Sequence, residues 1–193
     1  MKNTAIVFAR LARLGTVKRR LAREVGDRAA LRFHIGTLVR LLRSLRADRT
    51  FRTVLAATPD RGHLCLPWRV TRIPQGRGDI GARMDRAVRR FPAGRVLIVG
   101  CDIPAANAAD VRAAFRVLGR ADAVFGPAED GGFWLVGLGP RRPARPFANA
   151  RWSSAHALAD TLTNFAGRRV DRVRTLRDVD TATDYAAESA FIT

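Results

Sequence analysis

Arg95-Val-Leu-Ile-Val-Gly-Cys-Asp-Ile-Pro104 joins an unbroken apolar run to an abrupt polar stop. Such a run reads as a strand buried on both faces. Gly100 lets the chain turn, and Pro104 keeps the hydrogen-bonded ladder from continuing. One acid, Asp102, is left at the carboxyl end of a central strand, where open α/β sheets bind ligands. Asp102 is therefore the first candidate functional residue.

Outward from this strand, apolar runs and helical periodicities alternate. Strands are predicted over 4–9, 53–57, 121–125 and 132–138, besides 96–99. Segment 64–73 is poorly patterned and reads as one edge strand, and 170–176 reads as extended. Helices are predicted over 17–25, 29–45, 79–91, 108–118, 154–165 and 181–188. Leu31, Ile35, Leu38, Leu42 and Leu45 form the apolar stripe of the second helix. Asp79 is placed to cap the third, and Thr181 with Asp184 resembles a capping box with the shorter acid. Strands alternating with helices of this length imply an α/β fold, a doubly wound and mostly parallel sheet. With 193 residues and no linker or repeat, residues 1–193 are expected to form a single domain.

Two cysteines, Cys65 and Cys101, stand too far apart in pattern to suggest a disulfide framework or metal-ligand spacing. The apolar run at the N-terminus is too short for a signal peptide, and nothing reaches membrane-spanning length, so a cytoplasmic protein is expected. The formal charge of +18 raises the question of nucleic acid. The basic residues are nearly all arginine, Lys2 and Lys18 being the exceptions, and they are spread through every predicted helix. A GC-rich genome produces that usage where only solvation is needed. Solvated helix faces and an anionic small molecule are favoured over nucleic acid as partner.

Three further segments carry candidate chemistry. After the first strand, Gly15 and the start of the next helix form a possible phosphate cradle, to which Lys18 and Arg20 add charge. The spacing is not that of a P-loop, and an ordinary basic loop fits equally well. Asp102 suits a Mg²⁺ or Mn²⁺ ligand, and equally a turn aspartate. In Gly126-Pro-Ala-Glu-Asp-Gly-Gly-Phe-Trp134, Glu129 or Asp130 suits a second metal ligand or a general base. Phe133 and Trp134 there suit a stacking wall. The pattern alone favours a plain hairpin turn with Asp-Gly chemistry. Asp178, Asp180 and Asp184 read better as acids at the start of the last helix than as a metal site. His34, His63 and His156 have no partners at ligand spacing, and His34 reads as a packed helix residue.

Together these segments resemble a small bacterial family of glycosyltransferase-A-fold proteins. Its members are provisionally named glycosyltransferases, some placed in arsenosugar biosynthesis as radical-SAM-associated transferases. They lie near nucleotidyltransferases of molybdenum-cofactor and phospholactate guanylylation type. Ile6-Val-Phe-Ala-Arg10 with Gly15-Thr-Val-Lys-Arg-Arg-Leu21 resembles the opening strand and basic loop. Gln75 to Met84 resembles the following loop and helix start, and Gly100-Cys-Asp-Ile-Pro104 the Gly-Ser-Asp-Cys-Pro turn. Gly126 to Leu138 resembles the Asp-Gly-Gly-Tyr strand, while Trp152-Ser153 and Asp178 to Asp184 fit the closing segments.

The resemblance implies a nucleotide-diphospho-sugar transferase fold and a metal-dependent transferase taking a nucleotide-activated sugar and a small-molecule acceptor. The alternatives are a nucleotidyltransferase that releases pyrophosphate from an NTP, or a degenerate protein that binds nucleotide or RNA without turnover. By similarity Arg10, Gly15, Lys18 and Arg20 would meet phosphate, and Gln75 and Gly78 would lie near base or ribose. Asp102 would hold Mg²⁺ or Mn²⁺. Asp130, with Glu129 beside it, would be catalytic, and Phe133, Trp134 and Trp152 would face the acceptor. This chain departs from the family pattern at Arg19, where a threonine is usual, and at Cys101 and Ile103 beside the metal aspartate.

Overall fold

The computed structural model describes residues 3–62, 64–179 and 181–189. Seven strands form one sheet in the order β3-β2-β1-β4-β6-β5-β7. They are β1 (Thr4–Arg10), β2 (Arg52–Thr58), β3 (Thr71–Pro74), β4 (Val96–Gly100), β5 (Ala123–Pro127), β6 (Phe133–Leu138) and β7 (Val170–Arg172). Neighbours are parallel except β6, which runs antiparallel to both β4 and β5. A mixed sheet is the result, mostly parallel as expected. The chain builds outward from β1 through β2 to β3, then returns to place β4 on the other side of β1. The order therefore reverses between β1 and β4, the point at which open α/β sheets leave a crevice.

Helices cover both faces. On one face α2 (Asp27–Ala47) and α4 (Ala108–Val117) enclose a core that includes Leu41, Leu45, Leu55, Leu97, Val111 and Phe115. On the other, α3 (Ile80–Arg89) and α5 (Ala157–Thr163) cover Ile6, Ile98, Phe125 and Val136. The central strands are consequently buried on both sides, which is why β4 is written as a continuous apolar run. The short α1 (Arg19–Val25) and the closing α6 (Ala182–Ser189) meet at the N-terminal end of α2, where Leu21, Ala30, Phe33 and Val179 form a small third cluster.

That cluster corrects the reading of α2. Its buried face is Ala30, Phe33, His34, Thr37, Leu38, Leu41, Leu42 and Leu45, whereas Leu31 is only half-buried and Ile35 is 38% exposed. Phe33, packed edge-on against Tyr185, sets the rotation of the first turns and carries His34 inward.

Other boundaries move for local reasons. Lys18 adopts a left-handed conformation with φ of 48°, so α1 begins at Arg19 and not at 17. Asp79 caps α3 by accepting from the Ala82 N–H, and Asn107 and Asp110 form a capping box on α4. Thr181 and Asp184 cap α6 reciprocally. Within 64–73 only the edge strand β3 forms, from Thr71 onward. After β7 the chain keeps beside the sheet through a single bridge between Leu176 and Ala128.

Candidate functional site

β4 ends at Gly100, and the next residues alternate in burial. Cys101 and Ile103 are each 2% exposed and anchor the turn in the core, while Asp102 between them stays about half open. Arg40 fixes the end of the turn by donating to the Pro104 carbonyl at 2.7 Å. The buried Cys101 and Ile103 side chains therefore secure the turn that presents Asp102. Phe8 of β1 is in register with Gly100 of β4, so the end of β1 at Arg10 and the turn at Asp102 open on the same crevice, which both line.

The loop after β1 folds back over this point. A Thr16–Arg13 turn, with Gly15 at φ of 74°, brings Lys18 inward. The Lys18 side chain is only 8% exposed, and its Nζ lies 3.8 Å from Asp102 Oδ1. From the opposite wall, His34 places Nδ1 3.4 Å from the same oxygen, while its Nε2 meets the Arg10 carbonyl at 2.9 Å. Burial pushes the Asp102 carboxyl up. The His34 contact and the Lys18 charge outweigh it, so the acid is held below its ordinary range. Burial, reinforced by the Asp102 charge, pushes the Cys101 thiol well up. Arg10, Lys18, Arg20, His34, Asp102 and Asp178 line a cavity of about 370 Å³ on this side. Its chemistry is strongly cationic.

A second cavity of similar volume opens on the other side of Asp102, and Asp178 borders both. The β5–β6 hairpin forms one wall, so the hairpin reading of Asp130-Gly131 holds. Gly131 takes a φ of 84°, and Asp130 Oδ1 accepts from the Gly132 N–H at 2.9 Å. The hairpin also aims a carboxylate into the cavity, because Asp130 is exposed and lines it. Phe133 and Trp152 line it as well, stacked edge to face at 6.2 Å. Trp134 borders it, but its ring packs against Gly126 on the opposite face of the sheet, and its Nε1–H donates to the Arg174 carbonyl.

The remaining predicted residues lie away from these cavities. Gln75 is buried, and its amide donates to the Ala9 and Ala56 carbonyls, joining the ends of β1 and β2. Gly78 opens the cap of α3, and Gly15 belongs to the loop behind Lys18. Glu129 is exposed and faces Arg177 at 3.8 Å. His156 is exposed at the start of α5. His63 and Asp180 lie outside the described residues.

Two residues join the site against expectation from the sequence. Asp178 arrives because Arg174 grips Asp110 with two hydrogen bonds and Leu176 bridges to Ala128, which draws the C-terminal segment across the cavity mouth. His34 arrives through the rotation of α2. One signal for His34 was in the sequence: a polar residue within a helix whose neighbours at i+4 and i+7 are apolar.

Residues 41–154, more than half of the chain, match the model of a family described as an uncharacterized protein conserved in bacteria (DUF2064). The chain belongs to this family. No curated protein matches it. Among solved structures it is similar to a Desulfovibrio desulfuricans protein provisionally named a nucleotide-diphospho-sugar transferase, with a TM-score of 0.84 and 24% identity over 98% of this chain and 96% of that one. It is also similar to a nucleotidyl transferase from Methanothermobacter thermautotrophicus, with a TM-score of 0.67 and 17% identity over 99% and 97%. A third is a Mycobacterium tuberculosis protein crystallised in complex with manganese, with a TM-score of 0.55 and 18% identity over 97% of each chain. The DUF2064 chain thus has the fold of the nucleotide-diphospho-sugar transferases. Among its described residues, no helix is long and apolar enough to cross a membrane.

Proposed function

We propose that this DUF2064 chain is a metal-dependent transferase that moves a sugar from a nucleotide-diphosphate donor to a small hydroxyl-bearing acceptor. One observation carries the reading: Asp102 stands on the wall between a cationic cavity and a cavity with an aromatic wall. The first suits the diphosphate, which Lys18, Arg10 and Arg20 would hold by charge. The second suits sugar and acceptor, against Phe133 and Trp152. Asp102 is held ionised beside the buried His34, a donor set that fits a divalent cation. Such a cation, when bound, offsets negative charge on the diphosphate leaving group. The manganese complex of a protein with this fold supports that choice.

In this reading the acceptor oxygen attacks the anomeric carbon, the bond from that carbon to the diphosphate breaks, and the nucleoside diphosphate departs. Asp130 receives the acceptor's proton, its turn bond to Gly132 holding the carboxylate in place. The resemblance to arsenosugar-type transferases makes their acceptors the first to try. The nucleotidyl transferase among the similar structures favours a second reading, in which an NTP is attacked at its α-phosphate and pyrophosphate leaves.

Product chemistry tests both. Nucleotide-sugars and NTPs are each incubated with the protein and Mn²⁺, and the products are resolved by anion exchange. Free nucleoside diphosphate from a nucleotide-sugar supports the sugar transfer, and pyrophosphate from an NTP supports the alternative. Asp102→Asn is expected to remove metal-dependent donor binding while leaving the fold intact. Unchanged donor affinity in that variant would sink the assignment.

A further inference from the structure

We propose that His34 supplies a nitrogen ligand, beside the Asp102 carboxylate, to the divalent cation of this site. The proposal rests on the functional reading above.

The ring's protonation pattern follows from its contacts. A carbonyl oxygen only accepts, so the 2.9 Å contact with Arg10 requires the hydrogen on Nε2. In the neutral imidazole, Nδ1 then carries a lone pair. His34 is 3% exposed, and Nδ1 is fully enclosed with no hydrogen-bond partner. The nearest polar group is Asp102 Oδ1 at 3.4 Å, in an alignment outside that of a hydrogen bond. With the neutral ring, two lone-pair donors face each other across a short gap at the edge of the cationic cavity. Such an arrangement is repulsive when empty and favourable when a cation is shared between them.

The support behind the ring has the form expected of a metal-ligating histidine, whose second nitrogen donates to a fixed acceptor and so sets tautomer and orientation. Here that acceptor is the last residue of β1, which the sheet holds in place. Cys101 also lies within the cluster, its ligand atom within 4.8 Å of the others. The donors assigned here are one imidazole nitrogen and one carboxylate oxygen. Imidazole suits transition metals better than Mg²⁺, so this chain should prefer Mn²⁺ to Mg²⁺ by more than a carboxylate-only site would.

Pulsed electron paramagnetic resonance of Mn²⁺ bound to the tag-free full chain tests the assignment. Nitrogen coupling of imidazole type is expected, and it should change from the ¹⁴N to the ¹⁵N pattern when only histidine is ¹⁵N-labelled. His34→Gln, whose amide can still donate to the Arg10 carbonyl, should abolish the coupling and weaken Mn²⁺ binding at least about tenfold. Its Mg²⁺ affinity should fall less. His156→Gln should leave the coupling in place. The labelling result needs no variant, so misfolding of His34→Gln cannot obscure it. Mn²⁺ bound in an Asp102-dependent way without histidine coupling would overturn this assignment and leave the transferase reading standing. Coupling that survives in His34→Gln and vanishes in His156→Gln would do the same. Failure of the wild type to bind Mn²⁺ at all would overturn both.

Discussion

Lys18 Nζ stands 3.8 Å from Asp102 Oδ1 and ties the loop after β1 to the turn after β4, across the point where the strand order reverses. Opposite charges on the two banks of one crevice attract each other, and a ligand entering between them must divide them. In the proposed reaction the diphosphate takes the lysine and the cation takes the carboxylate.

Replacing Lys18 by Met should therefore weaken nucleotide binding more than folding. A charge-assisted hydrogen bond contributes about 1.5–3 kcal/mol, which corresponds to roughly ten- to hundredfold in affinity. Calorimetric titration of nucleoside diphosphate at fixed Mn²⁺ reads this directly. Unchanged affinity would transfer the phosphate role to Arg10 and Arg20.

Asp130→Asn separates chemistry from binding. The amide keeps an acceptor for the Gly132 N–H but cannot take a proton. Turnover should fall about 10²- to 10⁴-fold, the usual worth of a positioned general base. Donor affinity should change by no more than about twofold, since Asp130 lies on the acceptor side. An equal loss in donor affinity would place Asp130 in the binding machinery instead.

Acid stability should report on Asp48, which closes α2 onto the next strand. Its nearly enclosed carboxylate accepts from the Thr50 backbone and hydroxyl and pairs with Arg112 on α4. Burial raises its pKa, but the Thr50 and Arg112 hydrogen bonds outweigh that and hold it below the ordinary value. A depressed carboxylate stabilises the fold above its unfolded pKa of about 3.9, and the contribution fades as pH falls through the folded value. Asp48→Asn should be less stable than wild type by about 1–2 kcal/mol at pH 7, and the difference should shrink below about pH 4. Urea unfolding of both proteins from pH 7 to pH 3 measures it. A gap independent of pH would assign the loss to packing.

Gly81→Ala sets helix propensity against packing. Alanine gains about 1 kcal/mol over glycine inside a helix such as α3. An added Cβ would lie 2.7 Å from the Trp152 ring and 2.8 Å from the Phe147 carbonyl, and the carbonyl belongs to backbone that cannot swing aside. Overpacking costs about 1–3 kcal/mol, so a net loss of up to about 2 kcal/mol is expected. Displacement of Trp152 should also raise the acceptor KM without altering donor affinity. Net stabilisation in urea unfolding would show that the Trp152 wall yields.

The periodicities of this sequence were enough to determine the alternation of strands and helices, the mixed α/β class and the exposure of Asp102 after a buried strand. Each of those rests on neighbours along the chain: the apolar run of β4, the turn at Gly100 and Pro104, the caps at Asp79 and Thr181. The Asp-Gly dipeptide likewise announced the β5–β6 hairpin, although not that its acid would face a cavity. Tertiary structure alone decided which polar residues meet. Local pattern left the rotation of α2 open by one position, and Phe33, packing against Tyr185, resolved it so that His34 faces Asp102. Gln75 appeared suited to a ligand until the ends of β1 and β2 placed two carbonyls within its reach. Asp178 needed Arg174 and Leu176 to draw it across the site. Periodicity reports which face of an element avoids water, and a polar residue on that face is matched with its partner only when distant elements pack.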